Sequence, residues 1–478
     1  MEKSNLVVYL FLLSPDEMAR FRHFLSSPFH NKGELPIQLF DFLKEEYDQW
    51  EQGTPIPAIP LPKAYEALYG KTEFKGQRLR RVKMELLRLL TSFIHLLDDR
   101  PFHPDFSQEY HLRKFLLDRG GLQLFQKRSS KPANFPVTPD LLDPTQHWEG
   151  FQMGLLNYEY CIHAGIPTDD MESTLDHFDQ YYFASKLRLW ASILNREKGY
   201  DQKHQLKLVD ETLRILESPI AKNWKTAHLW KHVLGLVRGD NASVSYQNLE
   251  EMLLNERLPR RELRQVRGFM YNYLNSEKKG GVETYRNLWK LLKTMLEEGT
   301  LHSNDRINGP FFRATIFNAC LAGESTWAGE FLDRYGQDLK GAEVERENEY
   351  FRLHIAFFQG RFGEVSKWAR QLKFKSKRFE IYLRALQLKA AYELDEVDDF
   401  FRLGNAFQKY LASKQEPASQ FVKRYVLFIK LVQKLGWARF DRRSLPESFA
   451  EELPELGTAE RAWLMEKCSD LHSKERKM

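Results

Sequence analysis

A chain of 478 residues with 42% hydrophobic and 29% charged residues has room for several domains or one long stacked array, and it is too apolar to be a disordered chain. Lys and Arg total 71 against 66 Asp and Glu, so the formal charge of +5 supplies no bulk attraction to nucleic acid, and any such contact has to come from a local cluster. Three widely spaced cysteines, Cys161, Cys320 and Cys468, with no Cys-x-x-Cys pair, exclude a disulfide framework and a zinc clip and fit a reducing compartment, the cytoplasm.

The first element is the apolar run LVVYLFLL at 6–13. Its length is that of a signal-peptide core, but Glu2 cancels Lys3 and no small-x-small cleavage site follows. Instead Ser14, Pro15, Asp16 and Glu17 read as a helix start with a capping serine, a proline in the first turn and acids near the positive end of the dipole. The run is therefore expected to be a buried N-terminal segment leading into a helix. That helix carries Met18, Phe21, Phe24 and Leu25 on one face and stops at Pro28, Asn31 and Gly33. A second helix is expected over 36–50. The stretch GTPIPAIPLP at 53–62 cannot supply successive backbone donors and reads as an extended connector. From 77 to 97 the residues Leu79, Val82, Leu86, Leu90, Phe93 and Leu97 recur at three and four, the mark of an amphipathic helix. A second proline-rich passage, KPANFPVTPDLLDP at 131–144, is the best candidate for a domain boundary. No apolar run reaches the ~18 residues of a membrane span.

Beyond it one amphipathic helix follows another with no period-two segment, so the expected fold class is all-α. Three segments align: TIFNACLAGESTWAGEFLDRY from Thr315, LHIAFFQGRFGEVSKWARQL from Leu353, and QLKAAYELDEVDDFFRLGNAF from Gln387. Each has a small residue late in a first helix (Ala319, Ala356, Ala391), a turn residue four positions later (Gly323, Gly360, Asp395), and an apolar or small residue five positions beyond that (Ala328, Val365, Phe400). A looser copy places Ser276, Gly280 and Tyr285 in the equivalent positions. The pattern resembles the helix-turn-helix unit of tetratricopeptide repeats, in which small residues let paired helices approach closely. The resemblance implies an α-solenoid of stacked helical hairpins. The expected organisation is a helical N-terminal domain at 1–130, a proline-rich linker at 131–145, a TPR-like α-solenoid at 146–440 and a helical tail at 441–478.

The resemblance also implies a binding face, since the first helices of such units line a concave surface. Residues six before, two before and one after the marker alanine share a helix face. Applied to the three segments, this rule places Arg313, Phe317 and Cys320, Tyr350, His354 and Phe357, and Lys389 and Tyr392 on that face, and all but Cys320 are taken as groove residues. Aromatics mixed with cations suit a protein or peptide partner with acidic character. Arg313 and Lys389 are expected to be solvent-facing.

A search for catalytic motifs finds none. GKT at 70–72 lacks the P-loop glycine five positions earlier, where Tyr65 stands, and Gly-x-Gly-x-x-Gly, Gly-x-Ser-x-Gly and His-Glu-x-x-His do not occur. Asp169, Asp170, Glu172, Asp176 and Asp179 beside His163 and His177 read as a solvated acidic helix start rather than a metal site. The expectation is a non-enzymatic scaffold with no cofactor or metal and no membrane span. The alternative is a nucleic-acid-associated regulator in which Lys75, Arg78, Arg81 and Arg88 of the N-terminal helical domain contact phosphates. A further basic run, RRELRQVR, holds Arg260, Arg261, Arg264 and Arg267.

Overall fold

A computed structural model describes residues 4–50, 56–97, 104–129, 142–168, 171–197, 203–276, 282–303, 306–339, 344–412, 420–446, 448–456 and 458–475. The protein is all-α. Among the described residues the strands are a two-residue pair, β1 (His302–Ser303) and β2 (Arg306–Ile307), antiparallel with His302 opposite Ile307. No helix among them is long and apolar enough to cross a membrane. By internal contact the chain forms two compact units, the described residues of 1–138 with 145–181, and those of 139–144 with 182–478.

The first unit holds α1 (Asn5–Phe11), α2 (Pro15–Ser26), α3 (Leu35–Asp48), α4 (Leu61–Tyr69), α5 (Gly76–Leu97), α6 (Pro104–Asp118), α7 (Leu122–Ser129), α8 (Pro144–Ala164) and the start of α9 (Met171–Glu197). Ser14 caps α2 as expected: its Oγ accepts from the Glu17 N–H at 3.2 Å while the Glu17 carboxylate accepts from the Ser14 N–H at 2.8 Å. The apolar run at the N-terminus becomes α1, with Leu6, Val7, Leu10 and Phe11 buried against Phe21, Leu39, Phe40, Leu86 and Leu90. Leu12 stays 74% exposed. A separate small core gathers Leu117, Phe125, Leu156 and Tyr160, with the Phe125 and Tyr160 rings stacked at 4.6 Å.

The second unit continues α9 and adds α10 (Val209–Glu217), α11 (Lys225–Arg238), α12 (Ala242–Asn255), α13 (Arg260–Ser276), α14 (Val282–Glu297), α15 (Gly309–Leu321), α16 (Ser325–Tyr335), α17 (Val344–Phe358), α18 (Phe362–Ala369), α19 (Lys377–Glu393), α20 (Val397–Ala412), α21 (Gln420–Phe440), α22 (Ser448–Glu452) and α23 (Thr458–Glu475). The proline-rich stretch expected as a linker lies outside the described residues as far as 141. Just beyond it Leu142 is buried in this unit and its N–H donates to the Arg257 carbonyl at 2.7 Å.

The three aligned segments form α15/α16, α17/α18 and α19/α20, and the turns between them share one geometry. Gly323, Gly360 and Asp395 have φ of 89°, 75° and 58°, the left-handed region that ends a helix and turns the chain back. In each turn the N–H of the next residue bonds the carbonyl of the marker alanine: Glu324 to Ala319 at 2.8 Å, Arg361 to Ala356 at 3.0 Å, Glu396 to Ala391 at 3.1 Å. The left-handed residue itself bonds one position further along, to Cys320, Phe357 and Tyr392. These are complete Schellman caps, and the marker alanines are their third-from-last helical residues. All three alanines are buried, as are Ala328, Val365 and Phe400 on the second helices. In the looser copy Ser276 ends α13 and Tyr285 is buried in α14, while Gly280 lies outside the described residues.

From α13 to α21 each helix packs on its successor, and first helices also pack on one another, α11 on α13, α15 on α17 and α17 on α19. The C-terminal helix does not trail away. α23 packs on α21 and on α15, with Trp463 and Leu464 in the common core. Trp463 Nε1 donates to Glu393 at 2.7 Å and Lys467 pairs with the same carboxylate at 3.0 Å, fixing α23 to the end of α19.

Two glycine substitutions separate backbone strain from packing. A Cβ at Gly360 would meet nothing within 4 Å, so Gly360→Ala should cost only the left-handed penalty, about 1–2 kcal/mol. A Cβ at Gly436 would lie 2.2 Å from Cε1 of the fully buried Phe400, so Gly436→Ala should cost an overpacking penalty of about 1–3 kcal/mol. Urea unfolding measures both, and an unchanged midpoint for Gly360→Ala would show that the turn does not hold its left-handed form.

Candidate functional site

A cavity of about 370 Å³ opens in the second unit among α13, α15, α17, α19, α21 and α23. Five of the seven groove residues chosen from sequence line it: Arg313, Phe317, Tyr350, His354 and Lys389. The helical spacing explains the convergence. Arg313 and Phe317 lie four apart on α15, Tyr350 and His354 four apart on α17, and Lys389 takes the place of Phe317 and His354 on α19. Because these helices pack in succession, the three pairs of positions fall side by side.

Phe357 and Tyr392 do not belong to the cavity. Phe357 is buried, with Phe362 at 5.1 Å, and its ring lies under Lys389. Tyr392 is buried among Phe400, Phe440 and Trp463, with the Arg439 guanidinium 4.4 Å from its ring centre. Both follow the marker alanine or stand one past it, where the helix face has rotated from the cavity toward the partner helix and α23. Lys389 was expected to face solvent; it is 3% exposed.

The cavity has a buried interior and an accessible edge. His354, Lys389, Tyr350 and Tyr425 are buried, Arg313 and Phe317 are half-buried, and Arg378 and Arg424 are exposed. His354 is 2% exposed, and neither of its ring nitrogens has a hydrogen-bond partner. Its ring meets Phe317 at 4.7 Å and Phe358 at 5.0 Å. Burial, together with Lys389, pushes its pKa well below the ordinary 6.5, so the imidazole is neutral at physiological pH. Lys389 Nζ sits 5.4 Å from the centre of the Phe357 ring and makes no ion pair among the described residues. Burial lowers its pKa, opposed by Glu460 and Glu393. Both of those carboxylates are otherwise engaged: Glu460 accepts from the Tyr425 hydroxyl at 2.9 Å, and Glu393 holds Trp463 and Lys467.

The remaining lining groups were not selected from sequence. They include Tyr271 and Asn275 on α13, Arg378 and Tyr382 on α19, and Phe421, Arg424 and Tyr425 on α21. The signal was present: Arg378, Tyr382, Ala385 and Lys389 recur at four, three and four, one continuous helix stripe. Tyr382 joins the two halves of the lining, with its ring 5.9 Å from Tyr350 and 5.7 Å from Phe421. In total the lining brings four cations, Arg313, Arg378, Lys389 and Arg424, against one carboxylate, Glu460. Arg313 has Glu347 at 3.9 Å, and Arg378 lies 5.3 Å from the Phe421 ring centre.

The basic residues of the first unit have a different setting. Lys75, Arg78, Arg81 and Arg88 are all exposed along or just before α5, and Arg88 pairs with Glu85 at 2.6 Å. The RRELRQVR run is largely consumed by structure: Arg260 donates to the Gly299 carbonyl, Arg264 to the Thr300 and His302 carbonyls, and Arg267 to Glu298. In the acidic segment, Asp169 and Asp170 lie outside the described residues. Asp176 accepts from Gln180 at 2.7 Å, and His177 Nδ1 faces His147 Nδ1 at 3.2 Å. No group of three or more metal-ligating side chains stands together among the described residues.

The charge at Lys389 yields a prediction with a definite sign. Its folded pKa lies below the unfolded 10.5, so between the two values the unfolded chain holds more protons and stability rises with pH. Lys389→Met removes the desolvated charge, and the variant should equal or exceed the parent at neutral pH, with the gain shrinking as pH approaches 10.5. Urea unfolding across that range reads the difference. A loss of stability at neutral pH would mean that Glu460 and Glu393 more than compensate the buried charge.

Comparison of the chain with protein-family models, curated proteins and solved structures found no match in any of the three.

Proposed function

We propose that the second unit is a tetratricopeptide-like α-solenoid and that the protein is a non-enzymatic scaffold or adaptor, binding a protein or peptide partner on the face formed by its first helices. The observation that carries this reading is the convergence of Arg313, Phe317, Tyr350, His354 and Lys389 on one cavity. Residues chosen by a repeat register have no reason to meet unless alternate helices stack in that register, and the packing of α15 on α17 and α17 on α19 is of that kind. The lining also has the composition of a recognition surface. Tyrosine and arginine are its commonest residue types, and these are the residues that anchor partners most often, because they offer large contact area with a polar end. The excess of cations favours an acidic segment and speeds encounter with it.

A second reading places the first unit on nucleic acid through α5. It rests on the exposure of Arg78 and Arg81, which form no ion pair among the described residues, beside Lys75. Binding of that kind would fall steeply with salt, each phosphate contact adding to the slope. Retention on DNA or RNA at low salt, abolished by Arg78→Glu with Arg81→Glu, would favour it over the scaffold reading.

The scaffold reading is tested at the accessible edge, where substitution leaves the interior intact. Arg378→Glu with Arg424→Glu replaces two attractive charges by repulsive ones and should weaken capture of the partner by roughly tenfold or more. Substitutions at exposed positions usually stay within about 0.5 kcal/mol each, so the melting temperature should hold. Capture from lysate, quantified by mass spectrometry for parent and double variant at matched protein levels, identifies partners that depend on this face. Partners retained equally by both proteins would move the binding site elsewhere.

A further inference from the structure

The interior of the cavity is built in a way that packing alone does not require. His354 and Lys389 are 2% and 3% exposed, stand at corresponding positions of α17 and α19, and both line the cavity. Both His354 nitrogens lack partners, and the Lys389 ammonium faces an aromatic ring instead of a carboxylate. A buried donor without an acceptor is costly, and an apolar pair at these two positions would have sealed the helices without that cost. What the two groups share is the capacity to donate to an oxygen anion. Arg313 in the same lining is half-buried and Arg378 and Arg424 are exposed, so the lining carries positive charge at every depth of burial.

We propose that this cavity is a carboxylate-recognition site: Lys389 Nζ and a His354 ring N–H donate to the two oxygens of a single carboxylate carried at the acidic end of a peptide segment, whose adjoining apolar group packs on Tyr350, Tyr382 and Phe317. The inference rests on the reading of this face as a partner-binding surface. Three features favour a single carboxylate over a doubly charged group. The interior offers one cation and one neutral imidazole, Glu460 stands in the same lining, and six tyrosine and phenylalanine rings share the wall. The volume of about 370 Å³ sits at the low end of the ~300–1,000 Å³ typical of small-ligand sites, enough for a chain end or one acidic side chain with its neighbour, and too small for a folded element.

The test uses the full chain and three probes at matched ionic strength. One is a glycine-serine octapeptide ending in phenylalanine and aspartate amide, so that it carries a single carboxylate. The second is the same peptide ending in asparagine amide, and the third is disodium succinate against a sodium chloride reference. Calorimetric titration should show the acidic peptide binding roughly tenfold or more tightly than its amide twin, the ratio that one charge-assisted hydrogen bond supplies. Lys389→Met should bring that ratio close to one. Should Lys389→Met lower the melting temperature sharply, Arg313→Gln serves as the second variant and should reduce the ratio in the same direction. Equal binding of the two peptides by the parent would overturn the carboxylate inference and leave the partner-binding face standing. Succinate bound in a Lys389-dependent way while neither peptide binds would keep the carboxylate site but remove the peptide as its source, and with it the reading of this face as a peptide surface. Binding by none of the three probes would overturn the inference itself.

Discussion

The second unit depends on how its helices end. A helix leaves its last carbonyls without partners, and a chain that reverses direction within two residues has to satisfy them locally. At Gly323, Gly360 and Asp395 this is done by a left-handed residue whose neighbour reaches back to the carbonyl five positions earlier. Glycine takes that conformation without strain, and aspartate is among the few other residues that take it at modest cost. The same cap ends α6 at Gly120, α8 at Gly165 and α14 at Gly299, so the cap alone does not define a repeat. What distinguishes α15 to α20 is that an alanine occupies the capped position each time and the first helices then pack against one another. A larger side chain there would separate the helices at the point where the turn holds them closest.

Given that register, the decisive event for the site is the return of α23. It spans 458–475, yet it contacts α15 and is tied to Glu393 at the end of α19. Its Trp463 ring covers Tyr392, and its Glu460 takes the hydroxyl of Tyr425 beside Lys389. A helix face that would otherwise be open becomes a bounded cavity. Glu460 also explains why the cavity tolerates a buried lysine: it supports the charge at a distance without pairing with it, so the Nζ donors remain directed elsewhere. Apolar burial on one side of α23 thus sets the electrostatics on the other.

The hairpins were legible because the turn residue and the alanine repeat at fixed spacing and have a local physical cause. The same register carried far enough to bring Arg313, Phe317, Tyr350, His354 and Lys389 together. It failed one position past the alanine, at Phe357 and Tyr392, since a helix turns about 100° per residue and the face there belongs to the second helix and to α23. The burial of Lys389 was not legible either. The segment that covers it lies some seventy residues further on, and nothing periodic links Glu460 to α19. Tyr382 and Arg378 were missed for a simpler reason: the stripe that contains Lys389 extends toward the N-terminus of α19, beyond the repeat unit used to find it. In the first unit the capping box at Ser14 was readable from four residues, whereas the separation of the core of Phe21 and Phe40 from that of Phe125 and Tyr160 depends on tertiary packing that no short pattern encodes.

The positions two before the marker alanine show where the sequence departs from what packing alone favours. They hold Phe317, His354 and Lys389 in successive first helices, a change from phenyl to imidazole to amine at equivalent positions of α15, α17 and α19. For the fold, phenylalanine at all three would serve better, since it needs no partner and would fill the space now lined by polar groups. The second and third positions instead carry groups whose burial pushes both pKa values down; both His354 nitrogens lack a hydrogen-bond partner, and the Lys389 ammonium lies over the Phe357 ring. Sequences tend to break their own packing rules at the sites they use. Here the rule is broken at corresponding positions of two packed helices that line the same cavity, while the second-helix positions Ala328, Val365 and Phe400 keep to it.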